Sequence, residues 1–93
     1  MRIAEVIGTV TLSRAHPALT GARWVIGVPL SLKALQSGAP DGEDLVIYDE
    51  LGAGRGARIG FSEGAEAAAP FHPKRKPVDA YCACILDQVI VNG

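Results

Sequence analysis

The 93-residue sequence has almost no net charge, because nine lysines and arginines stand against ten acidic residues for a formal charge of -1 at pH 7. Nucleic-acid binders carry a basic surface that attracts phosphates and aromatic side chains that stack on bases. Aromatic residues make up only 5% of this chain. The composition therefore argues against a nucleic-acid partner.

Cysteine is scarce as well, with only Cys82 and Cys84 present. On an extended strand these two share a face with their Cα atoms about 6.5 Å apart, which is a poor geometry for a disulfide. A zinc site that recruits both with His16 and His72 is disfavoured, because structural zinc sites space their cysteines more widely on a turn. We expect no disulfide framework, no metal and no other cofactor.

Long hydrophobic runs are also missing. The longest, Ala80 to Leu86, is far shorter than the ~18 residues that cross a membrane, and the first residues lack a signal-peptide apolar segment. We expect a cytoplasmic protein with no membrane partner, formed of one domain over residues 1–93. A domain of this size buries only roughly 60 to 65% of its unfolded surface, so contacts between subunits would add useful stability.

Hydrophobic alternation predicts five strands, at 4–12, 24–30, 45–48, 57–62 and 80–91. Strong helix propensity occurs at Ala65–Ala69 and ends at Pro70. Short strands separated by turn signals, with no helix between successive strands, indicate an all-β fold. We predict a small five-stranded OB-like β-barrel with one short helix.

A glycine-rich run follows the third strand and matches the letters of the dinucleotide motif G-x-G-x-x-A, over residues 52–57. That motif works only where a helix begins directly after it and directs its amides at the pyrophosphate. Here residues 59–64 alternate like a strand and include two more glycines. The run is therefore interpreted as a tight exposed loop.

The sequence places no nucleophile for catalysis. Ser62 stands within the letters G-x-S-x-G over residues 60–64, but this segment alternates as the predicted fourth strand and is not a turn from a strand into a helix, and neither cysteine has a histidine next to it. The acidic pair Asp49-Glu50 is more typical of residues that cap or solvate a turn. The sequence does not predict an enzyme.

A short basic run lies between two prolines late in the chain and could meet an acidic partner or a phosphate, although a solvated loop is its simplest interpretation. It consists of Lys74, Arg75 and Lys76. We treat these three residues as a possible partner-contact loop.

Taken in order along the chain, several short segments resemble the bacterial microcompartment vertex proteins of the EutN/CcmL type. The segments are Val6-Ile7-Gly8-Thr9-Val10, Pro17-Ala18-Leu19-Thr20-Gly21, Asp49 with Leu51-Gly52-Ala53-Gly54, Pro77-Val78-Asp79-Ala80 and Ile85-Leu86-Asp87. The resemblance implies a small β-barrel that assembles as a homopentamer at the five-fold corners of a polyhedral shell. Its expected neighbours are the hexameric or pseudohexameric shell proteins of the same compartment.

Members of this family carry a Gly-Ala-Gly loop, which corresponds here to a stretch of small residues around one arginine. We hypothesise that this stretch lies near the five-fold axis, where several copies crowd together and small residues are favoured. The candidate axis residues are Gly52, Ala53, Gly54, Arg55 and Gly56.

The sequence also departs from the family in three places. Gly64 is followed by Ala65-Glu66-Ala67-Ala68, where many members have Gly-Ser-Ser-Ala-Arg. The fourth strand contains Ala57-Arg58-Ile59-Gly60-Phe61, where many members have an aromatic and β-branched strand, and the insert-like segment 70–76 is particular to this chain. Two other classes of function stay open at this stage. One is an OB-like module that binds single-stranded nucleic acid or a short peptide, and the other is a small metal-dependent enzyme.

Overall fold

The computed structural model describes residues 1–12, 16–19, 21, 23–73 and 76–91. Its elements in chain order are β1 (Arg2–Val10), β2 (Trp24–Pro29), α1 (Leu32–Ser37), β3 (Leu45–Tyr48), β4 (Arg58–Glu63), α2 (Ala65–Ala68) and β5 (Ala80–Leu86), with single 3-10 turns at Pro17–Leu19 and Ala69–Phe71. Each of the five strands lies within about three residues of its predicted place except at the end of β5. That strand ends at Leu86 and does not continue to residue 91.

The strands close into a barrel in the order β1-β2-β3-β5-β4, which returns to β1. Neighbouring strands are antiparallel except β3 and β5, which run parallel and are joined at Tyr48 and Tyr81. This arrangement confirms the predicted five-stranded OB-like barrel. Among the described strands, closure leaves no open sheet edge of the kind that invites uncontrolled strand pairing.

The predicted short helix is confirmed as α2. A second helix, α1, was not predicted, although it has the standard end signals of a helix. The Oγ of Ser31 accepts a hydrogen bond from the Ala34 N–H at 3.1 Å, and Gly38 closes the other end in a left-handed conformation. Within the described residues, neither helix is long and apolar enough to cross a membrane.

The interior of the barrel is filled by small and branched side chains. Its buried residues are Ala4, Val6, Val25, Ile47, Ala53, Ile59, Phe61, Ala80 and Cys82. Space inside the barrel is tight, since a Cβ placed on Gly27 would lie 2.7 Å from the Ile47 Cδ1 and 3.3 Å from the Ala4 Cβ. Gly27 therefore leaves room for interior side chains of the two neighbouring strands, β3 and β1.

A second cluster covers one end of the barrel from outside. Trp24 and Tyr48 pair across β2 and β3 and point away from the interior, because their neighbours along each strand point inward. Ala67 from α2 and Val78 are buried against them, and Phe71 and Tyr81 pack on the same cluster. Through this outer cluster, α2 and the residues just before β5 pack against the outside of the barrel.

The two cysteines do not share a face, contrary to the sequence expectation. A β-bulge between Gly60 and Phe61 pairs Cys82 with Phe61 and Cys84 with Gly60, so one residue of β5 is skipped. Cys82 is consequently buried inside the barrel. The Cys84 sulfur lies on the outer side, 2.7 Å from the position that a Gly60 Cβ would occupy. Both are free thiols.

Candidate functional site

The glycine-rich run forms an exposed loop between β3 and β4, as predicted. We call residues 50–56 the glycine loop. Gly52 and Gly56 have φ values of 82° and 88°, which side chains other than glycine rarely adopt. Gly54 and Arg55 are exposed, whereas Ala53 is fully buried and belongs to the barrel interior. The loop is therefore inserted into the core at Ala53 and projects outward on both sides of it.

Asp49, the residue directly before this loop, holds the loop backbone. Its side chain is fully buried. Its Oδ1 accepts a hydrogen bond from the Leu51 N–H at 2.9 Å, and its Oδ2 accepts one from the Ala53 N–H at 2.8 Å. The expectation that Asp49 caps a turn is consistent with these bonds, but a charge buried this deeply also requires a counter-ion. Glu50, by contrast, is exposed.

The counter-ion is Arg23, which no sequence pattern singled out. Its Nη1 forms a salt bridge with the Asp49 carboxylate, and its Nη2 donates to the Ala53 carbonyl oxygen at 2.8 Å. The Asp49 N–H also donates to the Arg23 carbonyl oxygen at 2.9 Å. The carboxylate therefore holds the N–H of Ala53 while the guanidinium holds its carbonyl.

The register of the sheet explains why these two residues meet. Trp24 and Tyr48 are paired across β2 and β3, so the residue before Trp24 and the residue after Tyr48 are the next pair in the antiparallel ladder. The sequence does contain a signal for this contact: an arginine directly precedes β2 and an aspartate directly follows β3. This signal predicts an ion pair only when the pairing of the two strands is known.

The thiol of Cys82 lies beneath the same loop. Burial raises the pKa of Cys82 to about 12, and the Asp49 carboxylate contributes to the increase through its charge and a hydrogen bond. Cys82 is thus a protonated side chain of the core, and it belongs to the same buried cluster as Ala53.

The far end of the glycine loop is held through the backbone of β1. The Gly56 N–H donates to the Val6 carbonyl oxygen at 2.8 Å, and the Val6 N–H donates to the Ala57 carbonyl oxygen at 2.8 Å. Between the two attachment points, a Cβ placed on Gly54 would meet no heavy atom of the described residues within 4 Å. The tip of the loop is therefore open to another molecule.

The possible partner-contact loop is placed only in part, since Lys74 and Arg75 lie outside the described residues. The Lys76 ammonium lies 4.6 Å from the centre of the Phe71 ring and 5.6 Å from that of Tyr48. Its charge is thus directed onto aromatic rings of its own chain.

The two histidines are not part of a shared site in the described regions. The His16 Nδ1 accepts a hydrogen bond from the Ala18 N–H at 3.0 Å, and His72 is exposed. Those regions contain no group of three or more histidine, cysteine or acidic side chains suited to a metal ion. What the candidate site offers chemically is a rigid, outward-facing loop fixed to a barrel.

Comparison with known proteins identifies the family. A family model described as "Ethanolamine utilisation protein EutN/carboxysome" matches residues 1–87. The chain belongs to this family. The resemblance drawn from the short sequence segments is thereby confirmed, and it extends over nearly the whole chain.

Relatives of this EutN/carboxysome family member share its length as well as its sequence. The carboxysome shell vertex protein CcmL of Thermosynechococcus vestitus is 34% identical over 96% of this chain and 86% of its own. The microcompartment shell vertex protein GrpN of Rhodospirillum rubrum is 30% identical over 96% of both chains. These relatives are structural shell proteins, so the predicted function is confirmed: the chain is a shell vertex protein of a bacterial microcompartment and not an enzyme.

Solved structures agree with the fold. The structure described as the GrpN pentameric microcompartment shell protein from Rhodospirillum rubrum superimposes with a TM-score of 0.83, covering 99% of this chain and 100% of that one at 29% identity. Gloeobacter violaceus CcmL gives a TM-score of 0.85 over 99% and 91% of the two chains at 30% identity. Bacterial microcompartments lie in the cytoplasm, which is the location predicted from the sequence.

Proposed function

We propose that five copies of this chain close into a homopentameric ring whose axis is lined by the glycine loop, and that this ring fills a corner of the shell. The observation that supports this most directly is the loop itself. Its tip is exposed and has free space around Gly54, and its base is fixed to the barrel core by hydrogen bonds to Ala53. A rigid loop with small residues suits a position where several copies approach one axis.

A ring of this kind follows from the requirements of a closed shell. Flat layers of six-fold tiles cannot close, so five-fold units are needed to introduce curvature. A cyclic ring uses a heterologous interface, in which one patch of each subunit meets a different patch of the next until the rotation closes. The corner unit then meets hexameric or pseudohexameric shell proteins at its outer edge, and the basic run 74–76 is a candidate for that contact.

The experiment is native mass spectrometry of the purified chain and of a Gly54→Val variant. The chain is expected to give five times its 9.7 kDa mass. The variant is expected to fold as well as the unsubstituted chain, because the space around Gly54 is free within one subunit, yet to lose the pentamer through crowding at the axis.

The matched control is Ala39→Val, which adds a branched side chain at an exposed position in another loop. This variant is expected to keep the pentamer. A Gly54→Val protein that assembles like the control would place the glycine loop away from the axis, and a chain that stays monomeric over all concentrations would exclude the ring.

A further inference from the structure

The two ends of the glycine loop are held by different kinds of bonds. The Gly56 end is held by backbone groups of β1, which no side-chain substitution removes. The other end is held by the side chains of Arg23 and Asp49, one on each side of the β2–β3 ladder. Only this end depends on the identity of particular residues.

The bonds at this end form a closed triangle around Ala53. Asp49 binds the Ala53 N–H, Arg23 binds the Ala53 carbonyl, and the two side chains form a salt bridge with each other. Each bond involves a charged group, and such bonds are shorter and stronger than neutral ones. Both peptide groups that flank Ala53 are therefore fixed in direction as well as in position.

Apart from the triangle and the bonds to β1, the loop is ordered by the buried Ala53 side chain, a hydrogen bond from the Tyr81 hydroxyl to Glu50 at 3.4 Å and one from the Ala57 N–H to the Gly54 carbonyl at 3.0 Å. Three of its seven residues are glycines, which lose more backbone freedom on ordering than any other residue. Leu51 is 51% exposed, and the side-chain direction of Gly54 faces open space among the described residues. Without the triangle, the backbone of the segment from Glu50 to Arg55 would lose the charge-assisted hydrogen bonds that fix its direction, and the small Ala53 side chain would be its main contact with the core.

We propose that Arg23 and Asp49 are positioning residues for ring closure: this ion pair, with its carboxylate buried and its guanidinium partly exposed, sets the conformation of the glycine loop and so determines how strongly five copies assemble. The inference rests on the proposed function, because it assumes that the loop meets its copies in the ring. It adds that the strength of the ring is set from inside each subunit by two residues that act through Ala53.

The test uses the full chain and the variant Asp49→Asn, which keeps one oxygen acceptor but removes the charge. Amide hydrogen exchange is measured by NMR at Leu51 and Ala53, and at Val25 and Ile47 in the barrel. The loop amides of the variant are expected to exchange at least about tenfold faster, with barrel amides unchanged. The protein concentration at which half of the chain is pentameric is expected to rise at least about tenfold.

The matched control is Glu63→Gln, which removes the same charge from the exposed Arg2–Glu63 salt bridge. It is expected to change neither measurement. An Asp49→Asn protein with fast loop exchange and an unchanged pentamer would overturn the proposal while leaving the ring intact. Unchanged hydrogen exchange of the loop amides in this variant would overturn it as well. If the unsubstituted chain forms no pentamer, both the proposed function and this inference are wrong.

A second variant keeps the test decisive if Asp49→Asn fails to fold. Arg23→Lys retains a cation beside Asp49 but cannot hold the carboxylate and the Ala53 carbonyl at once, because lysine lacks the planar fork of arginine. It is expected to keep the barrel and to shift the pentamer midpoint in the same direction by a smaller factor. A folded Arg23→Lys protein that assembles like the original chain contradicts the positioning role.

Discussion

Two surface segments of this barrel, the glycine loop and the segment 70–79, are held to the same core in opposite ways. The glycine loop is fixed by the ion pair of Arg23 with the buried Asp49 carboxylate, and both side chains bind backbone atoms of Ala53. In the described part of segment 70–79, Phe71 packs edge-on against Tyr48 and Tyr81, with ring centres 5.0 Å and 5.4 Å apart, and the Lys76 ammonium lies over the Phe71 ring.

The difference lies in what each kind of contact constrains. Charge-assisted hydrogen bonds are directional, so they fix peptide groups and allow little substitution. Apolar packing depends on volume and shape, so a side chain of similar size can replace another at modest cost. A loop that meets four copies of itself in one geometry, as we propose for the glycine loop, benefits from the first arrangement, while a covering segment needs only the second.

The largest expected effect comes from Arg23→Met, which leaves the buried Asp49 carboxylate without its counter-ion. We expect a loss of about 3 kcal/mol in the free energy of unfolding, at the lower end of the range for a broken buried pair, because the Asp49 carboxylate is fully buried whereas the Arg23 side chain is partly exposed. The measurement is urea denaturation at one fixed protein concentration, because assembly makes stability depend on concentration.

The exposed Arg2–Glu63 salt bridge provides the control for this prediction. Its side chains are 58% and 44% exposed, against 41% and 0% for Arg23 and Asp49. Glu63→Gln is therefore expected to cost less than about 0.5 kcal/mol. Equal losses in the two variants would mean that the Arg23–Asp49 pair behaves as an ordinary surface pair, and the contrast between the two segments would disappear.

A smaller effect is expected for Phe71→Ala in segment 70–79. Removing a fully buried phenylalanine costs about 3 to 5 kcal/mol, and Phe71 is only half-buried, so we expect about 2 kcal/mol. Phe71→Leu is expected to recover most of this loss, because packing tolerates a similar volume. A leucine variant as unstable as the alanine variant would show that this segment, too, is held by a directional contact.

The sequence was sufficient to predict the fold because each strand carries its own pattern. The third strand was predicted at the residues that form it, and the second, predicted over residues 24–30, ends one residue earlier at Pro29. Helix α1 was not predicted because six residues are too few to show hydrophobic periodicity. Its only signals are Ser31 and Gly38 at its two ends.

The candidate site could be predicted only in part. The glycines marked the exposed loop, and Asp49 was recognised as a turn residue, since both are local properties. That Ala53 is buried and that Arg23 neutralises Asp49 depend on which strands pair and in what register, and residues 23 and 49 are far apart in the sequence. The bulge in β5 separates Cys82 from Cys84 for the same reason, because it arises from pairing with β4.

The smallest expected effect is that of Lys76→Met, which keeps the length and apolar stem of the side chain but removes its charge. A partly exposed cation over an aromatic ring contributes about 0.5 to 1 kcal/mol, so we expect a loss of about 0.5 kcal/mol in urea denaturation. Lys76→Arg is expected to restore it, because guanidinium also binds aromatic faces. If the methionine variant keeps full stability, the Lys76 charge does not hold segment 70–79, and the packing of Phe71 and Val78 is sufficient to attach the described part of that segment.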